Sequence, residues 1–267
     1  MKNEVSGGVV MGIFNDLYKS IVFWAGDVRK IHTFPWVTWD VHLHKVNLEE
    51  IWEALPLIQY GDIGISRSDG YLSNIAIPGY MKHAWIHVDD IRDPMVEDGK
   101  PMIVEAISDG VVHRNAIYPM YSDYTIILRP SKVTYRSRRG ACKKAKSVVG
   151  TRYDHDFKFD IEEELKHYKG DHLDEAEEEL GSCADHMKKY DHGFSCTEVV
   201  SYAWWHEREK LRIYRQKQRG KDVILADSFL TNAFDIVWMS ESVTLESAVK
   251  LGLHEEGIEM IRDFLIK

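Results

Sequence analysis

Apolar residues near the start of the chain recur at helical spacing. Val10, Phe14, Leu17, Tyr18, Ile21 and Val22 share one face, and residues 9–54 read as helical. Asn47, with Glu50 three positions on as capping partner, starts a short second helix that ends before Pro56. From Gln59 the period changes. Residues 62–65, 83–88, 102–107, 111–113 and 124–128 are short β-rich runs separated by Gly, Pro, Asp and Ser, which predicts a mostly antiparallel sheet. Residues 137–149 predict a helix with Ala141, Ala145, Val148 and Val149 inward, stopped at Gly150. Residues 162–189 are charged and helix-prone, with breaks at Gly170 and Gly181. A helix is expected from Ser195 through Trp205 and on to about Gln218, then a strand at residues 236–239 and one or two helices over 245–267.

Composition makes this an ordinary globular chain: 267 residues, 44% hydrophobic and 29% charged, enough to bury a core. No run approaches the roughly 18 apolar residues of a membrane helix, and residues 7–14 are too short and poorly flanked for a signal peptide. Three cysteines, Cys142, Cys183 and Cys196, are an odd number in a chain of this length, so cytoplasmic or otherwise reducing surroundings are expected rather than a disulfide framework. The net charge of -9 is concentrated. Residues 154–192 hold fourteen acids against five Lys/Arg, whereas residues 129–146 hold eight Lys/Arg and no acid. No nucleic-acid motif accompanies the basic block, which reads as a solvated helix face or a dock for the acidic segment.

The most informative local pattern is Ser195-Cys196-Thr197-Glu198. Ser followed three residues later by Glu is a capping box, and Val199, Val200, Ala203 and Trp204 supply the apolar face behind it. Cys196 then occupies the first helical position, where unpaired N–H groups and the macrodipole favour a thiolate and can hold an oxyanion. The same residue also reads as a small buried thiol. Cys142 sits within helical reach of Ala145 and Val149 and packs, while Cys183 lies in the charged segment. A nucleophilic cysteine needs a base and the base an orienting acceptor. His83 opens a strand, with His87 and His113 as rivals. Glu105 shares a strand face with Ile103 and Ile107, where a carboxylate needs a partner such as an imidazole N–H.

Several short motifs occur in an informative order: Gly61-Asp62-Ile63, Ile77-Pro78-Gly79, His83-Ala84, Val104-Glu105-Ala106 with Gly110-Val111, Gly150 through Asp154 with Phe157, and Phe194 through Glu198. They resemble the permuted NlpC-type papain-like cysteine hydrolases, the YiiX-like subgroup with its poxviral relatives in particular, over about residues 59–239. The resemblance implies an α+β, circularly permuted papain-like fold, a small antiparallel sheet packed on helices. It makes residues 57–240 the hydrolase domain, with an acidic, His-rich insert over about 160–192. Residues 1–56 and 241–267 are then helical extensions. By the same resemblance Cys196 is the nucleophile, His83 the general base and Glu105 the orienting group, while Tyr153 and Asp154 are structural or substrate-facing. His83 precedes Cys196 by 113 residues, the reverse of the papain order, as permutation implies. The implied activity is hydrolysis of a peptide amide, cell-wall peptides among the candidates, through a thioester and without a cofactor.

Three rival readings stand beside this one. Cys183, His186, His192 and Cys196 place four zinc-type ligands within fourteen residues, although not at a standard spacing. A non-catalytic protein that retains the fold, or a lipid acyl-ester hydrolase, accommodates the same motifs. His42 and His44, with Asp40 nearby, alternate on a strand-like face and read as surface rather than metal-binding.

Overall fold

The computed structural model describes residues 28–30, 37–39, 44–71, 77–89, 102–154, 193–213, 215–218 and 221–266. The chain divides into two compact units, Met1–Leu43 with Ser68–Pro78, and His44–Arg67 with Gly79–Lys267. In the first, β1 (Val28–Lys30) pairs antiparallel with β2 (Val37–Trp39). This corrects the helical reading across that stretch: Val28, Val37, Thr38 and Trp39 are β-branched or aromatic, types that favour a pleated strand. Residues 9–27, which carry the helical periodicity, lie outside the described residues.

The larger unit is built on six strands: β3 (Ile63–Arg67), β4 (His83–Asp89), β5 (Met102–Ile107), β6 (Gly110–Asn115), β7 (Tyr124–Pro130) and β12 (Phe234–Met239). They form one sheet in the order β12-β7-β3-β4-β5-β6, antiparallel at every step. Among the described residues four shorter strands lie in pairs, β8 (Arg152–Tyr153) with β9 (Gly193–Phe194), and β10 (Gln216–Gln218) with β11 (Lys221–Val223). Strand alternation sends Ile63, Ile65, Ala84, Ile86, Val88, Val104, Ala106, Ile126 and Leu128 into one core cluster. On that cluster pack Ala141, Cys142 and Ala145 of α2 (Tyr135–Ser147) and Val199, Val200 and Ala203 of α3 (Cys196–Ala203). A second cluster holds Trp85, Ile103, Ile127 and Trp238, packed with Ile51 and Ala54 of α1 (Leu48–Ala54), whose Asn47–Glu50 capping box is present as expected. The sheet is therefore apolar on both faces. The molecule is mixed α+β, with a small antiparallel sheet packed with helices.

Segments expected as extensions contribute to these cores. Ile51, Ala54 and Leu55 belong to the second cluster. Ala248 of α4 (Leu245–Lys250) and Ile261 of α5 (Glu255–Ile266) are fully buried in the first.

Three further expectations are corrected. The helix after Ser195 ends at Ala203 instead of reaching Gln218: the backbone leaves helical dihedrals at the C-cap Trp204 (φ -94°, ψ 11°), whose side chain is buried. From there the chain passes through a 3-10 turn at Trp205–Glu207, and the polar residues beyond reach strand β10. The basic block 129–146 is not simply a solvated face. Arg129 clasps the buried Asp62 carboxylate through Nη2 at 2.7 Å and Nε at 3.0 Å, and Arg138 reaches the same carboxylate at 3.5 Å. Burial raises the Asp62 carboxyl above its ordinary value, and the two arginines offset part of that rise. His44 is enclosed rather than superficial: its side chain is 8% exposed, with Nδ1 4.0 Å from Oδ2 of Asp123 and the ring edge-on to Tyr121. His42 lies outside the described residues.

Candidate active site

Local chemistry starts α3 at Cys196. Ser195 is the N-cap, with extended backbone (φ -78°, ψ 168°), and its N–H donates to Oε2 of Glu198 at 2.7 Å. Cys196 is thus the first helical residue, 7% exposed. Backbone N–H groups in such a first turn have no intrahelical acceptor. Strand β9 leads directly into this cap and pairs in parallel with β8, Arg152 opposite Gly193 and Tyr153 opposite Phe194. Gly193 is required there, since a Cβ would lie 2.8 Å from the backbone nitrogen of Asp154.

His83 reaches the same point from the sheet. It is the first residue of β4, and its ring lies within hydrogen-bonding reach of Cys196. The Cys196 sulfur is 3.9 Å from the carbonyl oxygen of Lys82, the residue before it. The ring stacks near Trp85, with centroids 6.1 Å apart and planes inclined by 29°. Nε2 of His83 is hydrogen-bonded to Oε2 of Glu105, whose residue is wholly inaccessible to solvent. Glu105 faces Trp85 in the β4–β5 register and Val112 in the β5–β6 register. His83 and Arg114 are therefore its same-face diagonal neighbours. Arg114 Nε donates to Oε1, so each carboxylate oxygen has a partner of its own.

Sequence reasoning did not find Arg114. A signal was present in the alternation of β6, which puts residue 114 on the face of residue 112, but reading it requires the strand register.

The electrostatics follow from this burial. Desolvation works against an imidazolium at His83, but the hydrogen bonds and charges of Cys196 and Glu105 outweigh it and push the ring up to about 10. Burial likewise works against ionised Glu105, yet His83 and Arg114 hold its carboxyl below the usual range. Tyr153 is pushed well up by burial and by the charges of Cys196, Glu198 and Asp154, so its hydroxyl keeps its proton beside the thiol. Asp154 donates its backbone N–H to the Phe194 carbonyl at 3.2 Å.

Of the rival bases, His87 is buried with its ring against Tyr60, and His113 bonds Asp89 at 2.9 Å on an exposed stretch of β6. Cys142 is a packed thiol whose Sγ donates to the His87 carbonyl at 3.3 Å, and burial pushes it up to about 12. Cys183, His186 and His192 of the alternative zinc set, and the acidic insert at 160–192, lie outside the described residues. Among the described residues no group of three or more His, Cys, Asp or Glu side chains is placed to hold a metal ion. No described helix is long and apolar enough to cross a membrane.

Glu198 carries a prediction of its own. Burial raises its carboxyl from the ordinary 4.5 to about 7, against the hydrogen bonds from Ser195. Between those values the folded protein keeps a proton that the unfolded chain has lost, so stability falls as pH rises through this window and levels off above about 7. Glu198→Gln keeps an acceptor for the Ser195 N–H and removes the charge. Its melting temperature should match the parent in acid and exceed it above neutrality, by the equivalent of roughly 3 kcal/mol at most. A variant that melts lower at every pH would show that the carboxylate itself is needed.

Comparison with known proteins returns no match to a family model, a curated protein or a solved structure.

Proposed function

We propose that the protein is a cysteine hydrolase of the permuted papain-like, NlpC type, which cleaves a peptide amide by acyl transfer to water. The observation that carries this reading is one constellation: a thiol at the first position of a helix, an imidazole within its hydrogen-bonding reach, and a buried carboxylate bonded to the far side of that imidazole. The order of the parts, histidine strand before cysteine helix, suits the permuted group. The resemblance supplies the preference for peptide amides, cell-wall peptides among them, over lipid acyl esters.

In this mechanism His83 takes the Cys196 proton, and the sulfur attacks the carbonyl carbon. The oxygen that becomes negative is held by N–H groups of the first turn of α3. The imidazolium returns the proton to the departing amine, leaving a thioester. His83 then accepts a proton from water, whose oxygen attacks the thioester and releases the acid and the free thiol. Glu105 keeps Nε2 of the ring engaged, so the other ring nitrogen serves the sulfur. Tyr153 and Asp154 are structural or substrate-facing in this reading.

The test is chemical labelling. Near neutral pH iodoacetamide should modify Cys196 about a hundredfold faster than buried Cys142, because a sulfur served by an adjacent imidazole reacts and a packed thiol does not. Equal rates at the two cysteines, read by mass spectrometry, would remove the basis of the proposal.

A further inference from the structure

We propose that Asp227 is the positioning residue that sets where His83 meets Cys196, a role that rests on the hydrolase reading above. Asp227 lies in the 3-10 turn Ala226–Phe229 and is 4% exposed. Its carboxylate accepts two consecutive main-chain N–H groups, Tyr80 on Oδ2 and Met81 on Oδ1, the latter at 2.6 Å. The next residue is Lys82, whose carbonyl oxygen lies against the Cys196 sulfur, and the one after that is His83. A single buried side chain thus grips the backbone immediately before the imidazole, from 144 residues away in sequence.

The grip is fixed on both sides. Lys82 N–H donates to the Ser66 carbonyl at 2.9 Å, which pins the segment to β3. On the other side, His254 Nε2 donates to the Asp227 carbonyl at 2.9 Å. Ser228 Oγ takes the Leu225 N–H at 3.3 Å and the Gln216 amide at 3.2 Å. Gly79 completes the fit. It has φ +96°, and a Cβ there would come within 2.5 Å of Asp227 Oδ2, so the chain approaches the carboxylate with no side chain between them. Burying a carboxylate is unfavourable, and this one directs both oxygens to main-chain amides of the segment leading into β4. The arrangement controls backbone position, and small displacements at a reacting pair reduce rate steeply.

Asp227→Asn is the direct test. Its amide oxygen can accept one of the two N–H groups, while its NH2 opposes the other, so residues 80–82 must shift and draw His83 from the sulfur. Alkylation of Cys196 by iodoacetamide is measured across pH in the parent, in Asp227→Asn and in Ile261→Ala, a core variant far from the site in sequence that reports the effect of lost stability alone. Asp227→Asn should lose about tenfold to a hundredfold in rate near neutral pH, with its profile rising only toward alkaline pH, while Ile261→Ala keeps the parental profile. Should Asp227→Asn fail to fold, Asp227→Ser, which leaves room for water to accept both amides, is read the same way. A folded variant with the parental profile overturns the role of Asp227 alone. A parent protein whose Cys196 reacts no faster than Cys142 overturns the hydrolase reading and this role together.

Discussion

Cys196→Ala is expected to fold with a melting temperature close to the parent's and to lose hydrolysis by on the order of 10⁴-fold or more. The fold is expected to survive because the sulfur, 3.9 Å from the Lys82 carbonyl, takes no part in the capping bond of Ser195 or the β8–β9 pairing that fix this segment. Alanine is also the best helix former for a first-turn position. The loss of turnover is large because, among the described residues, the other thiol cannot substitute, Cys142 being packed against the His87 carbonyl. His83→Ala should lose about 10²-fold to 10⁴-fold, the usual contribution of a general base. Hydrolysis of p-nitrophenyl acetate and of an amide peptide provides the measurement. Parental turnover by Cys196→Ala would end the assignment.

The second large effect concerns Glu105, in stability as well as in rate. Glu105→Ala leaves the Arg114 guanidinium and the His83 ring facing a buried void, and removing one partner of a buried ion pair typically costs about 3–5 kcal/mol. Urea unfolding measures this directly. Glu105→Gln keeps an acceptor for one of the two donors and should slow turnover less than His83→Ala does. In both variants His83 falls from about 10 toward its ordinary 6.5, so the alkaline limb of the rate profile moves down in pH. The sign for stability agrees. A ring whose folded value is raised stabilises the fold fully below 6.5, and that contribution disappears as pH rises through about 10. Glu105→Gln should therefore flatten the decline in stability between those values. A profile whose alkaline limb does not move in Glu105→Gln would show that the carboxylate does not act on the imidazole.

What the sequence revealed and what it concealed have a common physical cause. The capping box at Ser195 and Glu198 spans three residues and was legible from spacing, as was the one at Asn47. The strands near residues 63, 83, 102, 110 and 124 were legible because their apolar runs are bounded by turn residues. The polar run after Trp205 read as helix because Lys, Arg, Glu and Gln favour helices, whereas buried Trp204 ends the helix at Ala203. Pairing Cys196 with His83 came from a resemblance and not from spacing, since the two lie 113 residues apart. Arg114, and the role of Asp227, were not legible for a related reason. One meets its partner by cross-strand register and the other through a turn beside an unrelated loop, and neither relation leaves a local pattern.

The paired strands β8 and β9 bring Asp154 and Gly193 side by side, so the polypeptide departs and returns at one doorway beside the thiol. The frame that holds Cys196 therefore fixes where the intervening sequence must leave and return. Two residue pairs of parallel strand are enough to set that entry and exit beside the nucleophile's helix.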